Sequence, residues 1–393
     1  MKKIKFAVLA VAGLATALVS CNTTGTSSDD NVLKITMLTD VGTIDDKNFN
    51  QGTWEGLKAW CSAKGLKEDT NYSYLRPEAA DTTHYEAAID DAVDGGADVI
   101  VCPGYLFQEA FEAKAVQYPN VAFVGLDFTQ NNIAETKNSV NITFKENEAG
   151  FLAGYAAVAE GIEKLGFMGG IFGDAVAKYG IGFAAGVAYA NKQLNGNSAL
   201  SKDNVWYCGS FAPGEDIQNT ISGWYTTGGV DTVFAAAGGA GKSVLNAAKS
   251  YNSSHAEAHK NIIGVDIDQS GDDPLYLTSA MKGLAAAVGD ALDNIVNSDL
   301  TGINESFSMG GKSSLLGAKE DAVALPTSDD AWRFTKFTKD QYQTIFAKVK
   351  NGEITIPSYS KGAGEDSAQL KQFFKDYGKG VADDVADYLY AGK

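Results

Sequence analysis

Three carboxylates and two carboxamides fall within one short polar stretch, Asp40-Val41-Gly42-Thr43-Ile44-Asp45-Asp46-Lys47-Asn48-Phe49-Asn50. Ionised carboxylates accept hydrogen bonds or coordinate cations, and a carboxamide offers both a donor and an acceptor. Phe49 stands among these polar groups, where an aromatic ring suits the stacking of a flat ligand. An apolar run, residues 33–38, precedes the stretch, and a helical pattern starts near Asn50. The loop therefore sits at the carboxyl end of a strand, where open α/β sheets bind ligands.

Catalytic chemistry competes for the same loop. Nucleoside hydrolases carry an aspartate cluster of the form D-x-D-x-G-x-D-D that binds calcium and activates water. Here Leu38 stands in place of the first aspartate, and one extra residue separates Gly42 from Asp45. Losing a carboxylate and shifting the register spoils a multidentate oxygen site. The stretch reads instead as one wall of a binding site, Asp40, Phe49 and Asn50, with Asp45 and Asp46 shaping the loop. Gly238-Gly239-Ala240-Gly241-Lys242-Ser243 mimics a phosphate-binding loop, but that motif needs glycine where Ala236 stands. Its glycines let backbone approach a ligand closely. His255 and His259 flank Glu257 without the spacing of a zinc peptidase, and no nucleophile elbow is present. No catalytic residue, metal site or cofactor is assigned.

The elements that must position these residues alternate. Strand patterns cover residues 33–38, 72–75, 98–102, 121–126, 139–144, 164–172, 205–210, 232–236 and 261–266. Most are short β-branched runs closed by Gly, Pro or Asp, as buried parallel strands are. Helical patterns lie between them, at 50–64, 84–95, 106–117, 147–161, 179–195, 214–225, 241–250 and 285–297. The segment 147–161, rich in Ala and Gly, is expected to pack tightly against a sheet. A further helix is expected at 341–350 and a strand end at 354–357. The alternation predicts an α/β fold of doubly wound, mostly parallel sheets, and the length favours two lobes of five or six strands.

The ends of the chain have other roles. Lys2, Lys3 and Lys5 precede an apolar run that ends Leu18-Val19-Ser20-Cys21. This resembles a bacterial lipoprotein signal, in which residues 1–20 are removed and Cys21 is lipidated. Residues 21–31 form a flexible tether. Losing three lysines and no acid moves the net charge from −17 to −20, which repels nucleic acid and anionic headgroups. Cys61, Cys102 and Cys208 match no metal or redox spacing and read as buried free thiols, with one disulfide among them as the alternative.

Several motifs together resemble the basic membrane protein family, the lipoprotein substrate-binding proteins of ABC importers. They are Cys21, then Thr39-Asp40 through Gln51, Val124-Gly125-Leu126-Asp127 and Cys208-Gly209-Ser210-Phe211. Ala237-Gly238-Gly239-Ala240-Gly241, Gly264-Val265-Asp266-Ile267-Asp268-Gln269 and Thr278-Ser279-Ala280-Met281-Lys282 complete them. The resemblance spans residues 33–360 and implies a two-lobe type I periplasmic-binding-protein fold with a hinge of several crossovers. It implies lobes at 32–144 plus about 267–300 and at 145–266 plus about 301–360, leaving 361–393 as a helical extension. It also implies a nucleoside ligand such as adenosine, guanosine or inosine, an ABC permease as partner, a lipid anchor at Cys21 and a monomer. Phe49 and Phe211 would sandwich the base, while Asp40, Asn50 and Asp127 would meet its edge. Gly239, Asp266 and Lys282 would meet the ribose. A nucleoside hydrolase and a sugar- or autoinducer-binding sensor are the alternative readings.

Overall fold

The computed structural model describes residues 32–132, 135–255, 259–304, 312–359, 367–378 and 380–392. Cys21 and the tether, and Glu257 between the two histidines, lie outside the described residues.

The chain opens with β1 (Ile35–Leu38), α1 (Phe49–Ala63), β2 (Tyr72–Leu75), α2 (Thr82–Asp94) and β3 (Val99–Pro103). Next come α3 (Gln108–Gln117), β4 (Ala122–Leu126), β5 (Ser139–Phe144), α4 (Glu146–Glu160) and β6 (Lys164–Gly169). Then follow α5 (Asp174–Leu194), β7 (Ala199–Tyr207), α6 (Glu215–Thr226), β8 (Thr232–Ala236) and α7 (Gly241–Ser254). β9 (Asn261–Asp266), β10 (Tyr276–Lys282), α8 (Leu284–Ile295), β11 (Lys312–Leu316) and β12 (Val323–Ala324) come after them. α9 (Lys339–Lys350), α10 (Ala368–Tyr377) and α11 (Asp383–Ala391) close the chain.

Two six-stranded sheets form, in the orders β11-β5-β4-β3-β1-β2 and β12-β10-β9-β8-β6-β7. The first is parallel throughout; the second is parallel except for β12, which runs against β10. Matching the orders pairs β1 with β6, β3 with β8, β4 with β9 and β5 with β10. The central strands are apolar because both faces are covered by helices. β3, Val99-Ile100-Val101-Cys102-Pro103, is buried along its whole length. Each such buried Val or Ile side chain contributes about 1.5–3 kcal/mol.

Three links join the lobes: Phe144 to Glu146, Lys282 to Leu284 and Leu316 to Ala318. They are stitched together, since Lys145 N donates to Leu316 O at 2.8 Å and Gly283 N to Ala322 O at 2.8 Å. Ala318 N donates to Glu148 Oε2 at 2.6 Å.

Several expectations need correction. β10 belongs to the second sheet, not to the first lobe expected for 267–300, and β11 joins the first sheet, not the second lobe expected for 301–360. Neither strand stands out in the sequence. Thr278 and Ser279 dilute the apolar pattern of β10 although they are buried, and β11 is an exposed edge strand held by its backbone pairing with β5. Residues 354–357 form no strand; the carbonyls of Ile356 and Pro357 accept from Asn147 Nδ2. α4 meets a helix more closely than a sheet. Gly150 and Gly154 on α4 face Gly182 and Gly186 on α5, and a Cβ on any of them would come within 2.0–2.3 Å of backbone oxygen on the opposite helix. Small residues spaced by four let the two backbones touch there.

The C-terminal extension is helical and packed. Leu370, Phe373, Phe374, Val385 and Leu389 are buried. Tyr207 Oη donates to Leu389 O at 3.0 Å, and Leu200 N on edge strand β7 donates to Gly380 O at 3.1 Å. Cys61, Cys102 and Cys208 are free thiols, the first two buried. Among the described residues no helix is long and apolar enough to cross a membrane.

Candidate ligand-binding site between the lobes

A cavity of about 260 Å³ opens between the carboxyl ends of the two sheets. Asp40, Phe49, Asn50, Asp127, Phe211, Gly239, Asp266 and Lys282 all line it, so residues scattered over most of the chain meet at one place. The lobes stand closed on one another. Gln269 Nε2 of the second lobe donates to Lys47 O at 2.9 Å and to Asn48 Oδ1 at 3.2 Å in the first. Tyr105 Oη, from the first lobe, donates to Ile171 O of the second at 2.8 Å.

The acidic loop after β1 is braced from inside. Asp46 Oδ1 accepts from Asn48 N at 2.7 Å and Gln51 N at 3.2 Å, and its Oδ2 accepts from Asn50 Nδ2 at 2.8 Å. These bonds cap the first turn of α1, whose leading N–H groups would otherwise lack partners. Asn50 Nδ2 also donates to Asp40 Oδ1 at 2.8 Å, and Asn50 Oδ1 accepts from Asp40 N at 3.2 Å. Asn50 thus lines the cavity with both amide hydrogens already engaged, and its part is to hold Asp40 in place. Asp45 turns outward and accepts from Thr43 Oγ1 at 2.5 Å. The three aspartates therefore do not converge as cation ligands would. Burial raises the pKa of Asp40 and of Asp46, against the lowering pull of their hydrogen bonds.

At the floor, Lys282 ends β10 with its side chain 2% exposed. Its Nζ lies 2.5 Å from Asp127 Oδ2, 3.4 Å from Glu146 Oε1 and 3.5 Å from Asp266 Oδ1. Burial alone would lower its pKa, but the three carboxylates outweigh it and hold it above the usual lysine range. Burial raises Asp266. Asp127 and Asp266 follow or end the equivalent strands β4 and β9, each with left-handed backbone, φ 67° and 68°. Such conformations cost of order 1–3 kcal/mol and cluster at functional sites. Asp127 lines the cavity, and its Oδ1 is buried with no hydrogen-bond partner among the described residues.

Two rings line the cavity from opposite lobes. Lys282 Nζ sits 4.7 Å from the centroid of Phe49, covering one face of that ring. Phe211 lies against glycines; a Cβ on Gly170 would come within 2.3 Å of the ring, and one on Gly239 within 2.9 Å of Phe211 O. Gly239 therefore serves first to let two backbones approach.

Tyr105, Tyr179, Glu146, Arg76 and Lys242 were not singled out from sequence. Tyr105 lines the cavity 6.3 Å from Phe211, ring to ring, edge on. The signal for it was Pro103-Gly104 closing β3, with Gly104 at φ 107°. Tyr179 donates to Ala280 O at 3.2 Å and looks like core in any helical pattern.

A family model described as ABC transporter substrate-binding protein PnrA-like, the Bmp family, matches residues 33–360. The chain belongs to this family. Among curated relatives, the CD4+ T-cell-stimulating antigen of Listeria monocytogenes is 31% identical, over 91% of this chain and 99% of its own. The ABC transporter nucleoside-binding protein BmpA of Lactococcus lactis is 31% identical, over 91% and 100%. A solved ABC transporter solute-binding protein from Aeropyrum pernix superposes with a TM-score of 0.71 at 20% identity, over 88% and 98%. The Bmp chain described here thus has the type I periplasmic-binding-protein fold. Like its relatives it is an extracytoplasmic substrate-binding protein of an ABC transporter, not an enzyme, and it works with a ligand and a permease.

Proposed function

We propose that this protein is a lipid-anchored receptor that captures a purine nucleoside between its lobes and delivers it to an importer's permease. The observation that carries this reading is the pair of rings, Phe49 and Phe211, one from each lobe, lining a cavity floored by buried acids and one ammonium. A flat base fits between rings, and each stacking contact contributes about 1–3 kcal/mol. Asp40 suits a base N–H group, Asp127 a further polar atom of the base edge, and Asp266 and Lys282 suit ribose hydroxyls. Five carboxyl groups near the cavity outnumber its three cations, Arg76, Lys242 and Lys282, and this acidic excess favours a nucleoside over a nucleotide. The name of the Lactococcus relative points the same way. Cys21, as the lipidated N-terminus, anchors the receptor, which acts as a monomer.

Isothermal titration of the full-length protein against adenosine, guanosine, inosine, cytidine and ribose tests this. Tight binding of an intact purine nucleoside is expected. Binding of ribose with the nucleosides ignored would favour a sugar receptor, and release of free base in the presence of calcium would overturn the reading altogether.

A further inference from the structure

Glu146 does not line the cavity, yet it is fully buried at the first residue of α4, where the chain crosses from the first lobe to the second. Its Oε1 is 3.4 Å from Lys282 Nζ and its Oε2 is 3.3 Å from Lys178 Nζ on α5. Neither oxygen has a conventional hydrogen bond among the described residues. The same Lys282 ammonium contacts Asp127 and Asp266. The other titratable and charged groups facing the cluster are the phenols of Tyr179 and Tyr105, the carboxyl of Asp46 beside Asp266 and, around the cavity that Asp127 lines, Asp40, Arg76 and Lys242. Acids outnumber cations here. Asp127 comes from the first lobe, whereas Glu146, Asp266, Lys282, Lys178 and Tyr179 move with the second. Closing the cleft brings Asp127 into a dry site where two carboxylates already crowd the ammonium. Opening the cleft returns it to water.

We propose that Glu146 is a positioning residue that makes capture proton-coupled: closure takes up a proton, because Asp127 then joins Glu146 and Asp266 as a third buried carboxyl around one ammonium. The charges agree with this. Burial first, then Glu146 and Asp266, push Asp127 up to about 7 against the opposing pull of Lys282. In the open form an aspartate in water titrates near ~3.9. The closed form therefore holds its proton more tightly. Affinity is flat above about pH 7 and rises as pH falls below it, by at most about tenfold per unit.

The inference rests on the reading that a ligand is enclosed between the lobes, and its test separates the two. Guanosine is titrated into the full-length protein at about pH 6 and pH 8, in buffers of contrasting ionisation heat. Uptake of about one proton is expected at the lower pH and none at the higher, with affinity about tenfold greater at the lower. Glu146→Gln removes a charge without touching the lining and should move the affinity profile to lower pH. Wild-type binding without proton uptake at either pH, or superimposable profiles for wild type and variant, would overturn the proposal. Should the variant fail to fold, the wild-type buffer pair still decides. Should guanosine not bind at any pH, the ligand reading fails, and small-angle scattering of the ligand-free protein decides this one. A radius that shrinks as pH falls from about 8 to about 5 supports proton-coupled closure, and an unchanged radius refutes it.

Discussion

β4 and β9 hold the same place in their respective sheets, and the aspartates that close them share one backbone conformation, Asp127 with φ 67° and Asp266 with φ 68°. Elsewhere the matched positions diverge. After β1 the first lobe presents Asp40, Asp46 and Asn50, bonded to one another. After β6 the second lobe presents Gly170, which has no side chain so that the Phe211 ring can lie against it. After β3 stands Tyr105, and after β8 the turn Gly238–Ala240. At these matched turns the first lobe contributes fixed hydrogen-bonding groups and the Tyr105 phenol, and the second contributes open backbone on which the Phe211 ring lies, while Phe49 from the first lobe and Asp266 and Lys282 from the second complete the lining. Duplicated topology thus supplies the frame, and local side-chain choice makes its halves complementary.

That comparison can be broken at the group both lobes share. Lys282→Met leaves three buried carboxylates without their ammonium, which costs about 3–5 kcal/mol at neutral pH. The acids then protonate more readily, so the deficit should narrow as pH falls from about 8 to about 5. Denaturant midpoints at both pH values check this, and a wild-type midpoint at the higher one would deny Lys282 its part in holding the lobes. Next in size is Gly182→Leu, which tests whether the second lobe depends on backbone contact between α4 and α5. Overpacking costs about 1–3 kcal/mol or more, and the upper end is expected where the obstacle is backbone. A lowered Tm with unchanged affinity in the surviving protein would locate the damage.

The rings sharpen the comparison. Phe49→Ala and Phe211→Ala should each weaken nucleoside binding by roughly ten- to a hundredfold, and Phe49→Ala should also lower stability, since its ring is part of the core. Equal losses fit a ring from each lobe on the same base. A loss confined to one variant would reduce the sandwich to a single face. The smallest effect belongs to Tyr105→Phe, which deletes only the bond to Ile171 O. About 1 kcal/mol, or roughly fivefold, should be lost, mostly as faster release. Stopped-flow dissociation rates would show it, and an unchanged rate would remove Tyr105 as a latch.

Strands with dense β-branched runs and sharp ends, such as β3, β8 and β9, were legible in the sequence because burial on both faces leaves an uninterrupted apolar signal. β10 was not, since its buried Thr278 and Ser279 are placed by position in the sheet rather than by hydropathy. Without a visible β10 the sequence does not locate the second crossover, so it does not reveal that β10 and β11 lie in opposite lobes. In the cavity, Asp40 and Phe49 announced themselves as unusual residues in one loop. Glu146 and Tyr179 sit at ordinary positions on ordinary helices, and their importance comes only from what the fold brings beside them.

The interlocked glycines of α4 and α5 have one more consequence. Glu146 opens the first of these helices, and Lys178 and Tyr179 lie on the second, so side chains around Lys282 are held by a contact that contains no side chain. A screen for mutants defective in uptake would therefore return Gly150, Gly154, Gly182 and Gly186 beside the cavity residues, although none of the four lines it. Protein yield would tell the two classes apart. Alleles of the glycines would be scarce in the cell, and alleles of the cavity abundant but idle.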